Sequence, residues 1–165
     1  LTRLADKAAG MARDIAFMET DAALFRKIMD VNVTGTFIAS KACAARMAAG
    51  GAIVNFSSVS GLRGNKGRIA YGASKAAIVS MTQVMAVELA GRGIRVNALA
   101  PGPIDTAMTK TMHTPADREQ WTRLMALKRY GTPEEIAGLV AFVASDEGRS
   151  IHGAIISIDN GLTAG

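Results

Sequence analysis

An α/β fold with a parallel sheet is what this sequence predicts, and three observations predict it. Short apolar runs at Ala52–Phe56, Ile94–Leu99 and Ala154–Ile158 alternate with long segments of helical periodicity, the pattern of repeated strand–helix units. Two of these runs empty into loops with reactive or chain-breaking residues, Ser57-Ser58 and Pro101-Gly102-Pro103, and ligands of such sheets bind beyond the carboxyl ends of the strands. Glycine pairs and a capping signature punctuate the segments where helices should stop and start. With 165 residues and no repeat, low-complexity stretch or linker, residues 1–165 are expected to form one domain.

Leu1–Ala8 reads as one or two amphipathic helical turns, followed by a loop near Ala9-Gly10-Met11. A long helical segment is expected from about Asp21 to Met47: Leu24, Phe25, Ile28 and Met29 recur at helical spacing, as do Phe37, Ile38 and Ala42, and Val31-Asn32-Val33-Thr34-Gly35 interrupts it with residues that weaken helices. Gly50-Gly51 ends the helix, and Ala52–Phe56 is the next strand. After the polar loop Ser57-Ser58-Val59-Ser60-Gly61, a helix is expected from about Ile69 to Ala90, stopped by Gly91 and Gly93. Ile94–Leu99 is the following strand, broken by Pro101-Gly102-Pro103. The polar, Met-rich stretch from Thr106 to Arg129 is read as helical. Thr132-Pro133-Glu134-Glu135 is a capping box with proline at the first helical position, ahead of an apolar stripe of Ile136, Leu139, Val140 and Val143. Ala154–Ile158 closes the pattern as a strand before Asp159-Asn160-Gly161.

Composition narrows the partners. A single cysteine, Cys43, rules out an internal disulfide framework and suits a reducing cytoplasm; in its alanine-rich surroundings it reads as a small apolar residue rather than a nucleophile. No apolar run reaches membrane-spanning length, and charged residues interrupt any signal-peptide layout at the N-terminus. The net charge of +5 raises nucleic acid as a partner, but the densest basic group, Arg63, Lys66 and Arg68, has no interleaved aromatic residue and reads as a solvated surface. His113 and His152 lack companions at metal-site spacing, so no metal is expected.

Chemistry gathers at two places. Tyr71 and Lys75 lie four residues apart near a helix start and share one face. A phenol is a poor acid–base catalyst at neutral pH, and a nearby ammonium favours its ionised form. Ser58, thirteen residues earlier on a strand-end loop, could hydrogen-bond the same substrate oxygen.

These residues resemble the motifs of the short-chain dehydrogenase/reductase family. Ile53–Gly61 looks like its serine motif and Tyr71-Gly72-Ala73-Ser74-Lys75 is similar to its Tyr-x-x-x-Lys motif. Asn32 in Val31-Asn32-Val33-Thr34-Gly35 matches its helix asparagine. Arg95–Thr106 resembles its nicotinamide loop, and Tyr130–Ala137 and Ile158–Gly161 its C-terminal signatures. The resemblance, strongest to the 3-oxoacyl-carrier-protein reductase and glucose dehydrogenase-like branch, implies a Rossmann-like doubly wound parallel sheet lacking its N-terminal strands. It implies a hydride transfer between NAD or NADP and an alcohol or carbonyl substrate. Tyr71 would be the general acid or base, Lys75 would lower its pKa and hold the nicotinamide ribose, Ser58 would orient the carbonyl, and Asn32 would hold a water in a proton relay. Cofactor contacts would come from Ala9, Gly10, Phe56, Tyr71, Lys75, Pro101, Gly102, Ile104 and Thr106, with Thr106 alternatively only a helix cap. Met108, Met112, Trp121 and Met125 are either pocket walls or core. The resemblance also implies a cytoplasmic homodimer or homotetramer, formed through the helices at Asp21–Met47 and Ile69–Ala90.

The match fails at the N-terminus. No Thr-Gly-x-x-x-Gly-x-Gly run comes after a strand, and only Ala9 and Gly10 fit the family's Asn-Asn-Ala-Gly loop. Leu1–Ala8 resembles the helix before the family's fourth strand, joined directly to the loop at the far end of that strand. The expectation is therefore a sequence that joins pieces of a longer protein, with residues missing before Leu1 and between about Lys7 and Gly10 and a chain break near Ala8–Ala9. Two other readings compete: a catalytically silent relative that binds or scaffolds, motivated by the missing fingerprint, and a Ser–Lys hydrolase using Ser58 and Lys75, which leaves Tyr71 and the Pro101-Gly102 loop unexplained.

Overall fold

The computed structural model describes the backbone of residues 4–7 and the whole of residues 14–164. Four parallel strands, β1 (Leu4–Lys7), β2 (Ala52–Phe56), β3 (Arg95–Pro101) and β4 (Ile155–Ile158), lie side by side in chain order. Ala52 of β2 pairs with Leu4 and with Arg95, and Leu99 of β3 pairs with Phe56 and with Ile156.

Strand β1 corrects the helix expected over Leu1–Ala8. Its four residues are too few for periodicity to distinguish a helical turn from a strand. The open edge of β2 decides the matter, because a parallel strand there takes up backbone groups that would otherwise lack partners. The expected chain break near Ala8–Ala9 lies outside the described residues.

Beyond β1, chain order matches expectation. Helix α1 (Ala22–Met29) begins at Asp21, whose carboxylate accepts from the Leu24 N–H at 2.7 Å. The weak stretch expected after it is a π-helical turn over Asp30–Thr34, which leads without a break into α2 (Gly35–Arg46). Helix α3 (Ile69–Leu89) is the longest of the described elements. Strand β3 runs two residues further than expected, through Ala100 and Pro101. Proline ends the run without opening the sheet because Gly102 donates its N–H to Ile158 O at 3.0 Å, resuming the ladder one residue on. The Met-rich stretch divides into α4 (Ala107–Met112) and α5 (Pro115–Leu124), each opened by a threonine capping box. Helix α6 (Pro133–Ala144) starts on the expected box: Glu135 N–H donates to Thr132 Oγ1 at 3.3 Å and Thr132 N–H donates to Glu135 Oε2 at 2.8 Å.

The sheet is covered on both faces, which is why its strands are apolar nearly throughout. On one face Ile53 and Val96 pack with Ala44 of α2, with Met47 at the end of that helix and with Ala86 of α3. On the other, Val54 and Leu99 pack against Val143, Ile136, Leu139 and Val140 of α6. Cys43 is half-buried against the first cluster, as a small apolar residue would be. Asn55 turns a polar group toward α3 and donates to Thr82 Oγ1 at 2.9 Å, so the buried amide is satisfied.

Candidate functional site

The carboxyl ends of β2 and β3 open onto the N-terminal turns of α3. After Phe56, Ser57 anchors the chain: its N–H donates to Leu99 O at 2.8 Å and its hydroxyl donates to Lys75 O at 2.9 Å. Ser58 then caps a short 3-10 turn, its Oγ accepting from the Ser60 N–H at 3.1 Å. That leaves the Ser58 proton to donate into the cavity that Ser58 and Tyr71 both line, and the serine hydroxyl pulls the Tyr71 pKa down.

Glycines set this closeness. A Cβ on Gly61 would stand 2.6 Å from the Lys75 carbonyl carbon, and one on Gly72 would stand 2.8 Å from the Ser60 carbonyl oxygen. The serine turn and α3 therefore touch backbone to backbone, a fit that any side chain at these two positions would force apart.

Three of the four expected catalytic residues are brought together, and the fourth is linked through one side chain. Lys75, 7% exposed, donates from Nζ to Phe56 O at 2.9 Å and lies 5.6 Å from the centre of the Tyr71 ring. Asn32 is buried in the π turn and donates from Nδ2 to Ser74 Oγ at 2.9 Å; Ser74 in turn donates to Tyr71 O at 2.7 Å. The Asn32 carbonyl accepts from Thr36 Oγ1 at 2.6 Å. A π turn shifts side chains and carbonyls out of helical register, and such turns recur at functional positions.

The expected lowering of the Tyr71 pKa is not the net result. Burial is the largest influence and holds the phenol above its ordinary value; the Ser58 hydrogen bond and the Arg68 charge pull it down, and Asp14 pushes it up. In this arrangement Tyr71 carries its proton at neutral pH.

The expected cofactor residues group at the same strand ends. Phe56 closes β2, Pro101 ends β3, and Gly102 lies so close to Asp159 that a Cβ would stand 2.8 Å from the Asp159 Cα. Ile104 forms an isolated bridge with Gly131, and Thr106 caps α4, its Oγ1 accepting from the Thr109 N–H at 3.3 Å. Ala9 and Gly10 lie outside the described residues. The donor set suits the nicotinamide half of a dinucleotide: an ammonium and a phenol stand at one strand end, with a loop lacking a Cβ at the neighbouring one.

A cavity of about 110 Å³ holds Ser58 and Tyr71 on one wall and Gly102, Pro103, Met108, Met112, His113 and Trp121 on the others. Met108, Met112 and Trp121 are thus pocket walls, whereas Met125 is fully buried in a cluster with Val59, Tyr130 and Leu162. His113 stacks on Trp121 and shares a hydrogen bond of 2.9 Å with Tyr130 Oη. Burial, aided by Arg68, keeps the His113 imidazole below its ordinary pKa. His152 instead ties sheet to helix: Nδ1 accepts from the Val96 N–H at 3.2 Å, so Nε2 donates to Ala86 O at 2.9 Å. A wider groove of about 640 Å³ runs between Phe17 and the Ile69, Ala73 and Ala76 face of α3; it contains none of Ser58, Tyr71 or Lys75, so the chemistry belongs to the smaller cavity.

Sequence reasoning missed Arg68. Read as part of a solvated basic surface, its side chain is only 12% exposed, paired with Asp14, and set 5.3 Å from the centre of the Tyr71 ring on the cavity wall. Its place three residues before Tyr71 was the signal that could have found it.

Comparison with known proteins agrees with this geometry. Residues 5–163 match the family model described as enoyl-(acyl carrier protein) reductase. The chain is 45% identical over 160 residues to a galactitol 2-dehydrogenase (L-tagatose-forming) from Cereibacter sphaeroides, covering 94% of this chain and 63% of that protein. It is 42% identical over 156 residues to the 3-oxoacyl-acyl-carrier-protein reductase FabG of Thermotoga maritima, covering 93% of this chain and 63% of that protein. The chain thus spans a little under two thirds of the length of these relatives. A 4-hydroxyisoleucine dehydrogenase complexed with NADH superposes with a TM-score of 0.93 at 34% identity, over 99% of this chain and 69% of that one. With the fold, the motifs and these matches in agreement, the chain belongs to the short-chain dehydrogenase/reductase family, in its 3-oxoacyl-carrier-protein reductase-like branch.

Proposed function

We propose that this chain, as one domain, carries the catalytic residues of an NAD(P)-dependent oxidoreductase that interconverts an alcohol and a carbonyl compound. The observation that carries the reading is that Ser58 and Tyr71 line one cavity, with the Lys75 ammonium 5.6 Å from the centre of the Tyr71 ring. The nicotinamide, when bound, supplies the hydride to a carbonyl carbon or takes it from an alcohol carbon. Pro101, Gly102, Ile104 and Thr106 would hold its ring and carboxamide, Lys75 its ribose, and Phe56, Ala9 and Gly10 would border it.

In reduction, the Tyr71 hydroxyl gives its proton to the substrate oxygen while Ser58 donates a hydrogen bond to that same oxygen. The carbon gains a hydride and the oxygen a proton, so charge balances on the alcohol. Tyr71 carries the proton beforehand, and the burial that raises its pKa weakens it as an acid, so transfer relies on the opposing pull of the Ser58 hydroxyl and the Arg68 charge. Oxidation needs the phenolate, which burial opposes and the neighbouring cations Lys75 and Arg68 favour. Asn32, joined through Ser74 to the backbone of Tyr71, serves the proton path behind Lys75.

The apolar walls Met108, Met112 and Trp121 admit a small alcohol or carbonyl compound. The reading includes a homodimer or homotetramer: Phe37 and Ile38 of α2 and Val84 and Val87 of α3 are exposed, and the small residues Ala42, Ala45, Ala76 and Ala77 permit close helix approach. Light scattering on the native protein at micromolar concentration is expected to show a dimer or larger. It also includes a reducing, cytoplasmic setting, which the lone half-buried Cys43 suits. No helix among the described residues is long and apolar enough to cross a membrane.

The test is to titrate the native full-length protein with NADH and NADPH by fluorescence and to monitor their oxidation with a panel of small ketones and aldehydes. Saturable binding of one cofactor with turnover of at least one substrate is expected. Binding without turnover across the panel would favour a silent relative, and absence of binding would overturn the reading.

A further inference from the structure

We propose that Arg68 is a positioning residue for Tyr71: its guanidinium, held by Asp14, lies across the phenol ring and fixes both the ring's orientation and the charge the hydroxyl faces. The inference rests on the role given to Tyr71 above and adds a residue that the motifs of the site do not include.

Three independent features carry it. Arg68 occupies the N-cap of α3 yet its side chain makes no capping hydrogen bond. Small polar residues are favoured there, and a cation at a helix N-terminus opposes the helix dipole. A residue that breaks both local rules serves something other than the helix start. The guanidinium is also clamped in one pose: Nε pairs with Asp14 Oδ1 at 2.6 Å and Nη2 donates to Asp14 Oδ2 at 2.9 Å, a two-point geometry available to arginine alone among the cations. The Ile15 N–H donates to Gly67 O at 3.0 Å, so the segment bearing Asp14 is stapled to the loop bearing Arg68. Finally, the clamped group lies 5.3 Å from the Tyr71 ring centre, within cation–π range.

The charged and titratable groups around Tyr71 divide by position. Arg68 stands one turn before it and Lys75, 5.6 Å from the ring centre, one turn after. Asp14 lies behind Arg68 on the N-terminal segment, Ser58 meets the hydroxyl from the β2 loop, and His113 shares the cavity from the end of α4. Arg68 favours the phenolate and Asp14 disfavours it, so the pair also keeps the net charge beside the phenol small.

Direct titration tests the proposal without requiring turnover. 3,5-Difluorotyrosine, whose more acidic phenol titrates before alkaline unfolding, is incorporated into the native protein, and the Tyr71 transition is isolated by subtracting the Tyr71→Phe protein. Arg68→Met is expected to raise that transition by about one unit. Arg68→Lys, which keeps the charge without the clamp, should fall between the two and stands in if the methionine variant does not fold. A transition unmoved in a folded Arg68→Met protein, or in Arg68→Lys where that alone folds, would overturn the proposal and leave Arg68 a helix-start residue. Failure of the functional reading shows separately, as undiminished turnover in Tyr71→Phe.

Discussion

Gly61 rests on the backbone of Lys75, with a built Cβ only 2.6 Å from the Lys75 carbonyl carbon and 2.8 Å from the Ala76 nitrogen. This contact seats the Ser58 turn on α3, so the serine-to-tyrosine geometry depends on an atom that is not there. Gly61→Ala is expected to lose about 1–3 kcal/mol of stability, the usual cost of forcing atoms into a packed site, and to lower turnover by separating Ser58 from Tyr71. Gly64→Ala, where a Cβ meets nothing within 4 Å, should leave both unchanged. Urea unfolding and initial rates on the two variants check the contrast.

Ser58 acts on Tyr71 as well as on substrate. Its hydrogen bond lowers the Tyr71 pKa, so Ser58→Ala raises it. Alcohol oxidation uses the phenolate, and its rising pH limb should therefore move to higher pH in Ser58→Ala. Turnover should fall by about a hundredfold, the scale for removing one donor from a developing oxyanion. A pH–rate profile of the variant that overlays the wild type would contradict this role.

The site was legible where neighbours in sequence are neighbours in space. Tyr71 and Lys75 share one helix face, Ser58 lies two residues beyond a strand end, and Thr132 with Glu135 closes a capping box, all within a few residues. What escaped depends on distant partners. β1 is a strand because β2 lies beside it, and Arg68 is turned largely out of solvent because Asp14, 54 positions earlier, pairs with it. Met125 and Met112 differ in no local respect, yet one fills the core under Val59 and the other lines the cavity.

His113 confers acid sensitivity. Its pKa lies below the ordinary 6.5, chiefly through burial and secondly through Arg68. As pH falls through about 6.5, the unfolded chain takes up a proton that the native imidazole refuses. Native stability then declines until the lowered value is passed, and above 6.5 the residue contributes no slope. His113→Gln should flatten the fall of Tm below pH 6.5. Equal slopes in the two proteins would count against this assignment.

The most direct test of the central claim is turnover of Tyr71→Phe in the native full-length protein, alongside its circular dichroism and cofactor affinity. An intact fold, cofactor binding close to wild type, and a loss of at least about a hundredfold in kcat, the scale of general acid–base catalysis, are expected. Wild-type turnover in a correctly folded Tyr71→Phe protein would contradict it.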